Sequence, residues 1–460
     1  MMDRLPLELV TTVFECLEEL NLATTPYSEF TEEPADQLVY GANDAHERAG
    51  HNSCWLNLTR ASCVNILNAR LAFSALYDAS HKTFARLLGN RTFRLTNVGF
   101  QDLILISRKK DLLPYLRTLT LGCANFRQNL GINESGFVWP CAFLSGLNIE
   151  DRSRLAATYM QCRDWQHDNM KSHTQTLASI LRSLPNLDTI RMVISDRVLH
   201  LGGWLKPGDE DLFHKDHVLY HDRSAEALRQ PRTGSPPRLY NNESSVIRDC
   251  IMEAIKSSNL TIRDFRASSR PPCLNISQVH LFSPALHTLR VSLSEHHLVR
   301  LDEWQWSELF SQAPGLRDLS LQIDKRRATS RSGNISPFSR HCIAKRQLIS
   351  DRLFQSLQGH TQLRRVELAD GWVFSEKALS NFVTHHSSSL RCLLLSEPLL
   401  FGTWQDALRA IALATYGKAE FVKVRLPAES DPPVFQRVYK PELDLDSLDF
   451  SCPFVWITRQ

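Results

Sequence analysis

Glycine is scarce in this chain, 18 of 460 residues, and neither common Gly-rich phosphate-binding pattern occurs. Nucleotide chemistry of those kinds therefore lacks its signature. The 11 cysteines include no Cys-x-x-Cys pair, which removes the usual zinc and dithiol-redox patterns and leaves buried, reduced thiols as the expectation. Two hydrolase signatures, G-x-S-x-G and H-E-x-x-H, are also missing. Uncharged apolar runs such as Leu103 to Ser107 fall far short of the ~18 residues that cross a bilayer, so no membrane partner is expected. With 53 Lys plus Arg against 50 Asp plus Glu, the net charge of +3 argues against nucleic acid held by counterion release. The first residues show neither a signal-peptide nor a transit-peptide pattern, and the expected location is cytoplasmic, nuclear or both.

What the chain does have is helical spacing near its start. Leu5, Leu9, Val13, Phe14 and Leu17 share one helical face, Glu8, Glu15 and Glu18 lie outside it, and Pro6 suits the first turn. Residues 21–57 then change to Thr, Ser, Glu, Asp, Asn, Gly and Pro with isolated apolar residues, the chemistry of a polar insert. Helical spacing resumes at Leu58, Val64, Leu67, Leu71 and Leu76, continues through Phe84, Leu87 and Leu88, and stops at Gly89–Asn90. Residues 1–90 thus read as a helical module of one short helix and one long or two successive ones, followed by strand character at Phe93 to Thr96.

Beyond residue 91 a spacing of apolar residues at positions 1, 4 and 6 recurs. It occurs at Leu116–Leu119–Leu121, Leu187–Ile190–Met192, Ile262–Phe265–Ala267, Leu286–Leu289–Val291, Leu316–Leu319–Leu321, Leu363–Val366–Leu368 and Leu390–Leu393–Leu395. Most copies follow a helix-like stretch closed by a breaker, such as Pro185–Asn186, Pro314–Gly315 or Gly359. Helix, turn and strand in that order is the unit of a leucine-rich repeat. The asparagine that usually follows the strand is missing from most copies, so the expected array, residues 91–460, is irregular. Two stretches, 202–242 and 324–346, read as loop inserts. The expected fold class is α/β, a helical module followed by an irregular leucine-rich-repeat solenoid.

The order Leu5-Pro6-x-Glu8-Leu9 with Val13-Phe14 and Leu17 resembles the opening helix of the F-box. The later segments Arg70-Leu71-Ala72, Ala75 to Ala79, Phe84-Ala85, Phe93 to Thr96 and Leu113 to Leu121 resemble the region C-terminal to that helix in fungal F-box proteins with irregular leucine-rich repeats. The resemblance covers about the first 125 residues by motif and the rest by repeat texture. It implies a substrate receptor of an SCF-type cullin-RING ubiquitin ligase: a Skp-type adaptor on Leu5, Pro6, Leu9, Phe14, Leu17, Leu67 and Leu71, an unidentified target protein on the repeats, no cofactor and no catalysis. Here the insert separates the two helices that a typical F-box holds close together. Looping out some 35 extra residues costs only about 1 to 2 kcal/mol, because closure entropy grows with the logarithm of length.

Two other readings stay open. In one, the F-box is degenerate and the repeats act as a scaffold independent of ubiquitin transfer. In the other, His214, His217 and His221, at helical spacing beside Asp209, Glu210, Asp211 and Asp216, hold a metal in an enzyme; a solvated loop is the plainer reading of that segment. Cys162, His167 and His173 match no zinc spacing, and Lys325-Arg326-Arg327 reads as solvated insert or an import signal. Of Trp304, Trp306, Trp372, Phe374 and Trp404, most suit the core. Trp372, directly after Asp370–Gly371, is expected to be exposed and to contact the target.

Overall fold

The computed structural model describes residues 10–11, 60–72, 74–90, 92–122, 132–133, 136–137, 150, 161, 164–193, 243–267, 281, 283–294, 303–324, 340–369, 372–396, 398–401, 404–415, 421–425 and 455–458. Leu5, Pro6, Leu9, Phe14, Leu17 and the insert 202–242 lie outside them. The chain divides into two compact units, Met1–Leu260 and Thr261–Gln460, and each is α/β with a parallel sheet.

In the first unit three short helices, α1 (Arg60–Ala72), α2 (Ser74–Ala79) and α3 (His81–Asn90), replace the one or two expected. Between α2 and α3 the Ser80 hydroxyl donates to the Tyr77 carbonyl at 2.8 Å, a local bond that competes with helix continuation. Then come β1 (Thr92–Arg94), α4 (Asn97–Ser107), β2 (Thr118–Gly122), the small antiparallel pair β3 (Ile132–Asn133) and β4 (Gly136–Phe137), α5 (Met170–Arg182), β5 (Thr189–Val193) and α6 (Glu243–Ser258). Strands β1, β2 and β5 are parallel neighbours in that order. The Thr96 hydroxyl caps α4 by accepting from the Gly99 N–H at 3.1 Å. Gly89 is required by closeness: a Cβ there would stand 2.7 Å from the Thr118 carbonyl oxygen.

The second unit runs β6 (Asp264–Ala267), β7 (Thr288–Ser294), α7 (Glu303–Ser311), β8 (Asp318–Asp324), α8 (Arg340–Leu357), β9 (Arg365–Ala369), β10 (Val373–Ser375), α9 (Glu376–His385), β11 (Cys392–Ser396), β12 (Leu399–Phe401), α10 (Trp404–Thr415), β13 (Phe421–Arg425) and β14 (Val455–Thr458). Its parallel sheet has the order β6-β7-β8-β9-β11-β13-β14, and β10 pairs with β12 in a separate parallel ribbon. The expected loop 324–346 is shorter than the sequence suggests. Asp324 ends β8, and Arg340 to Arg346 form the first turns of α8, where the Arg346 side chain is buried.

The apolar spacing explains the sheets. Leu289 stands opposite Leu319, Leu319 opposite Val366 and Val366 opposite Leu393, and the sixth positions align likewise, Val291–Leu321–Leu368–Leu395. A slip of one residue would turn that whole row to the other face, so burial of one face holds the register. Every apolar residue of the seven copies is buried, each contributing roughly 1.5–3 kcal/mol for a full-sized side chain. A tight turn returns the chain to the first position of four of the strand motifs. Leu187 N–H donates to the Leu184 carbonyl, Leu286 to Ser283, Leu316 to Ala313 and Leu363 to His360, at 3.0 to 3.2 Å. Pro185, Pro284 and Pro314 occupy the second position of three of these turns, where their restricted φ is already correct.

Candidate functional site

Within α1, Ile66, Leu67 and Arg70 are buried, whereas Leu71 is 86% exposed. Spacing of three and four residues places the buried three on one face, and Leu71 at its rim. Arg70 pins the helix. Its guanidinium lies 4.3 Å from the Tyr77 ring centroid and 3.8 Å from that of Phe84, and its Nη1 donates to the Ser80 hydroxyl at 2.6 Å and the Tyr77 carbonyl at 3.3 Å. Each cation–π contact of this kind contributes about 0.5–2 kcal/mol. Burial lowers the Arg70 pKa, and the facing Tyr77 and Asp111 partly offset it. Tyr77 in turn donates its hydroxyl to Asp111 Oδ2 at 3.3 Å, and His81 Nε2 stands 3.2 Å from the same oxygen. These contacts hold α1–α3 against the turn after α4 and leave Leu71 and Tyr77 at the surface. Of the seven residues expected to meet an adaptor, Leu71 is thus available to a partner and Leu67 belongs to the packed face.

The expected target contact at Trp372 is corrected by the structure. Trp372 is 0% exposed, and its indole N–H donates to the Leu321 carbonyl at 3.1 Å. The chain leaves β9 and enters the β10–β12 ribbon immediately after it, with the Leu399 N–H on the Trp372 carbonyl at 2.8 Å, so the ring is covered rather than displayed. Phe374, Phe354 and Phe382 continue the same core, with Phe354 stacked 4.9 Å from Phe374 and 4.3 Å from Phe382. Trp306 is also buried and stacks on Phe310 at 5.6 Å. The side chains of Trp304 and Trp404 lie outside the described residues.

Histidines couple neighbouring helix–strand units, His360 from a buried position and His385 from an exposed one, a role that no motif announced. His360 Nε2 donates to the Phe310 and Ala313 carbonyls at 3.0 and 3.1 Å, closing the end of α7, and His385 Nε2 donates to the Gln358 carbonyl at 2.7 Å. Beside them His386 is buried, its pKa lowered to about 4 by burial and by the nearby His385 and His360. In the first unit His173 stacks on Phe100 at 5.1 Å and lies 4.2 Å from Trp165; burial lowers its pKa, and its Nε2 donates to the Trp165 carbonyl at 3.1 Å. Cys250 and Cys392 are buried thiols outside any disulfide, and burial pushes the Cys250 thiol up. Cys123 lies outside the described residues.

Among the described residues no three His, Cys, Asp or Glu side chains are grouped to hold a metal, and no helix is long and apolar enough to cross a membrane. His214, His217 and His221 lie outside those residues. A second feature escapes motif reading. The position after the first apolar residue of the strand motif is arginine in five copies, Arg117, Arg263, Arg317, Arg364 and Arg391. Its recurrence was the available signal. Neither a protein-family model nor a curated protein sequence matches the chain.

Proposed function

We propose that the chain is an interaction protein, the substrate receptor of an SCF-type ubiquitin ligase, with an F-box-like helical segment for a Skp-type adaptor and an irregular leucine-rich-repeat array for a target protein. The observation that supports it best is Leu71. A leucine left 86% exposed on a helix already anchored through Ile66, Leu67 and Arg70 is an apolar contact with no role in the helix's own packing. The repeated helix, turn and parallel strand, with their apolar positions in register, support the array. The mechanism is proximity: one end docks the ligase, the array holds the target, and transfer becomes effectively intramolecular without chemistry by this chain.

Co-purification with a Skp-type adaptor tests it. The intact chain should capture the adaptor, Leu71→Ala should weaken capture, and Leu5→Ala, Pro6→Ala and Leu9→Ala together should abolish it. Absence of capture by the intact chain rejects the ligase role. The length of the insert 21–57 favours a second reading, a repeat scaffold with a degenerate F-box, in which deletion of the insert would still give no capture.

A further inference from the structure

In the second unit the residue after the first apolar position of each strand motif is Arg263, His287, Arg317, Arg364 or Arg391. The sheet places them side by side. His287 N–H donates to the Arg263 carbonyl at 2.8 Å, Arg317 to His287 at 2.8 Å, Arg364 to Arg317 at 2.7 Å and Arg391 to Arg364 at 2.7 Å. At a strand spacing of about 4.8 Å the five positions span about 19 Å along one end of the sheet. Arg263, Arg364 and Arg391 are exposed, and His287 and Arg317 are half-buried.

The charge of the row rests on its four arginines, two of which act on His287. The His287 pKa is lowered first by burial and then by Arg317 and Arg263, with Asp318 opposing them. Arg317 donates Nε to a neutral acceptor, Gln362 Oε1, at 3.3 Å. The matching positions of the first unit carry opposite charges, and there Arg117 Nη2 meets Asp188 Oδ2 at 2.8 Å. Like charges on facing positions of neighbouring strands cost stability, a cost carried here by Arg317, Arg364 and Arg391.

We propose that the row Arg263, His287, Arg317, Arg364 and Arg391 is the docking site for an extended acidic peptide segment of a partner protein. The chemistry fits in length and in kind. Side chains on one side of an extended peptide recur every 6.6 to 6.8 Å, so about three carboxylates fall within the row. Guanidinium forks bind carboxylates in a bidentate way. Single-stranded nucleic acid is the poorer fit, since it needs aromatic platforms for its bases and no aromatic ring but the His287 imidazole stands in the row. As a statement about targets the inference rests on the receptor reading, whereas the binding itself is measured without any adaptor.

The test uses the full chain and fluorescent peptides of about ten residues with Glu at alternate positions, read by anisotropy. The Glu peptide should bind, more weakly as salt rises, and the same peptide with Gln for Glu should not. Arg263→Gln, Arg364→Gln and Arg391→Gln together should weaken binding about tenfold, the corresponding Lys variant, which keeps the charge and loses the fork, should weaken it less than the Gln variant, and Arg117→Gln should change nothing. Far-UV circular dichroism reports folding. If the triple Gln variant does not fold, Arg364→Gln alone and the Lys variant decide. The proposal is overturned by no binding of the Glu peptide, by equal binding of the Gln peptide, by undiminished binding to the folded Gln variants, or by oligouridylate displacing the peptide as the tighter ligand. Adaptor capture, measured separately, reports on the receptor reading independently of all these outcomes.

Discussion

The two compact units build the same helix, turn and strand, yet hold successive copies together differently. In the first unit short links stand beside one large one, the stack of His173 on Phe100. Gly89 lets the end of α3 lie against Thr118, the Thr120 hydroxyl donates to the Gly89 carbonyl at 2.6 Å, and the Asn186 amide donates to the Pro114 carbonyl at 2.9 Å. In the second unit large side chains reach from one copy back to the preceding one: Trp372 to Leu321, His360 to Phe310 and Ala313, and His385 to Gln358. Small-residue links fail by steric overlap, and large side-chain links fail by leaving cavities and unmet carbonyls. The contrast extends to charge, since Arg117 meets Asp188 in the first unit where the second presents a row of like sign.

That contrast can be broken from either side, and the largest effect belongs to the second unit. Trp372→Ala empties a fully buried site and removes the donor to Leu321, so it should cost about 3–5 kcal/mol in denaturant unfolding. Hydrogen exchange should accelerate in residues 261–460 and much less in the first unit. Next in size is the response to acid. His386 binds a proton far less readily when folded than unfolded, so the unfolded chain is favoured as pH falls from about 6.5, the ordinary histidine value, toward about 4. Stability is full above that window and should decline through it by at most about 3 kcal/mol, with His173 and His287, also lowered, adding to the slope. Thermal unfolding across that range checks it, and a flat profile would show that protonation is not what the buried imidazole resists. In the opposite direction, Gly89→Ala should cost about 1–3 kcal/mol by forcing a methyl against Thr118, with its exchange signature in the first unit. The smallest effect is expected at Arg117→Gln, an exposed arginine whose pair with Asp188 contributes under about 1 kcal/mol.

Much of the fold was legible because it depends on local spacing. The seven copies of the strand motif read from the sequence all have their apolar residues buried, and helices stand in front of β5, β8, β9 and β11 as the breakers predicted. Local spacing carries no record of a contact that crosses between copies. Asp370–Gly371 promised an exposed Trp372, but the chain enters β10 directly afterwards and the ring is roofed by its neighbours. The start of α8 at Arg340 was hidden by a run of Ser, Arg and Lys that looks like solvated loop, although Arg346 is buried once the helix packs. Of the adaptor-facing residues expected from the resemblance, only Leu67 and Leu71 are described, and the exposure that separates them could not be read from two leucines four apart.

By itself the sequence determined the period: apolar residues at positions 1, 4 and 6, with a turn before each set, leave one face of each strand to be buried. Only the tertiary structure decided what that period brings together, because in the second unit strand pairing converts motif residues 24 to 47 apart into neighbours about 5 Å apart. Five positions scattered from Arg263 to Arg391 become one basic row, and tryptophan and histidine side chains become links between copies. Those outcomes depend on which strands pair, a cooperative property of the whole sheet that no single segment carries.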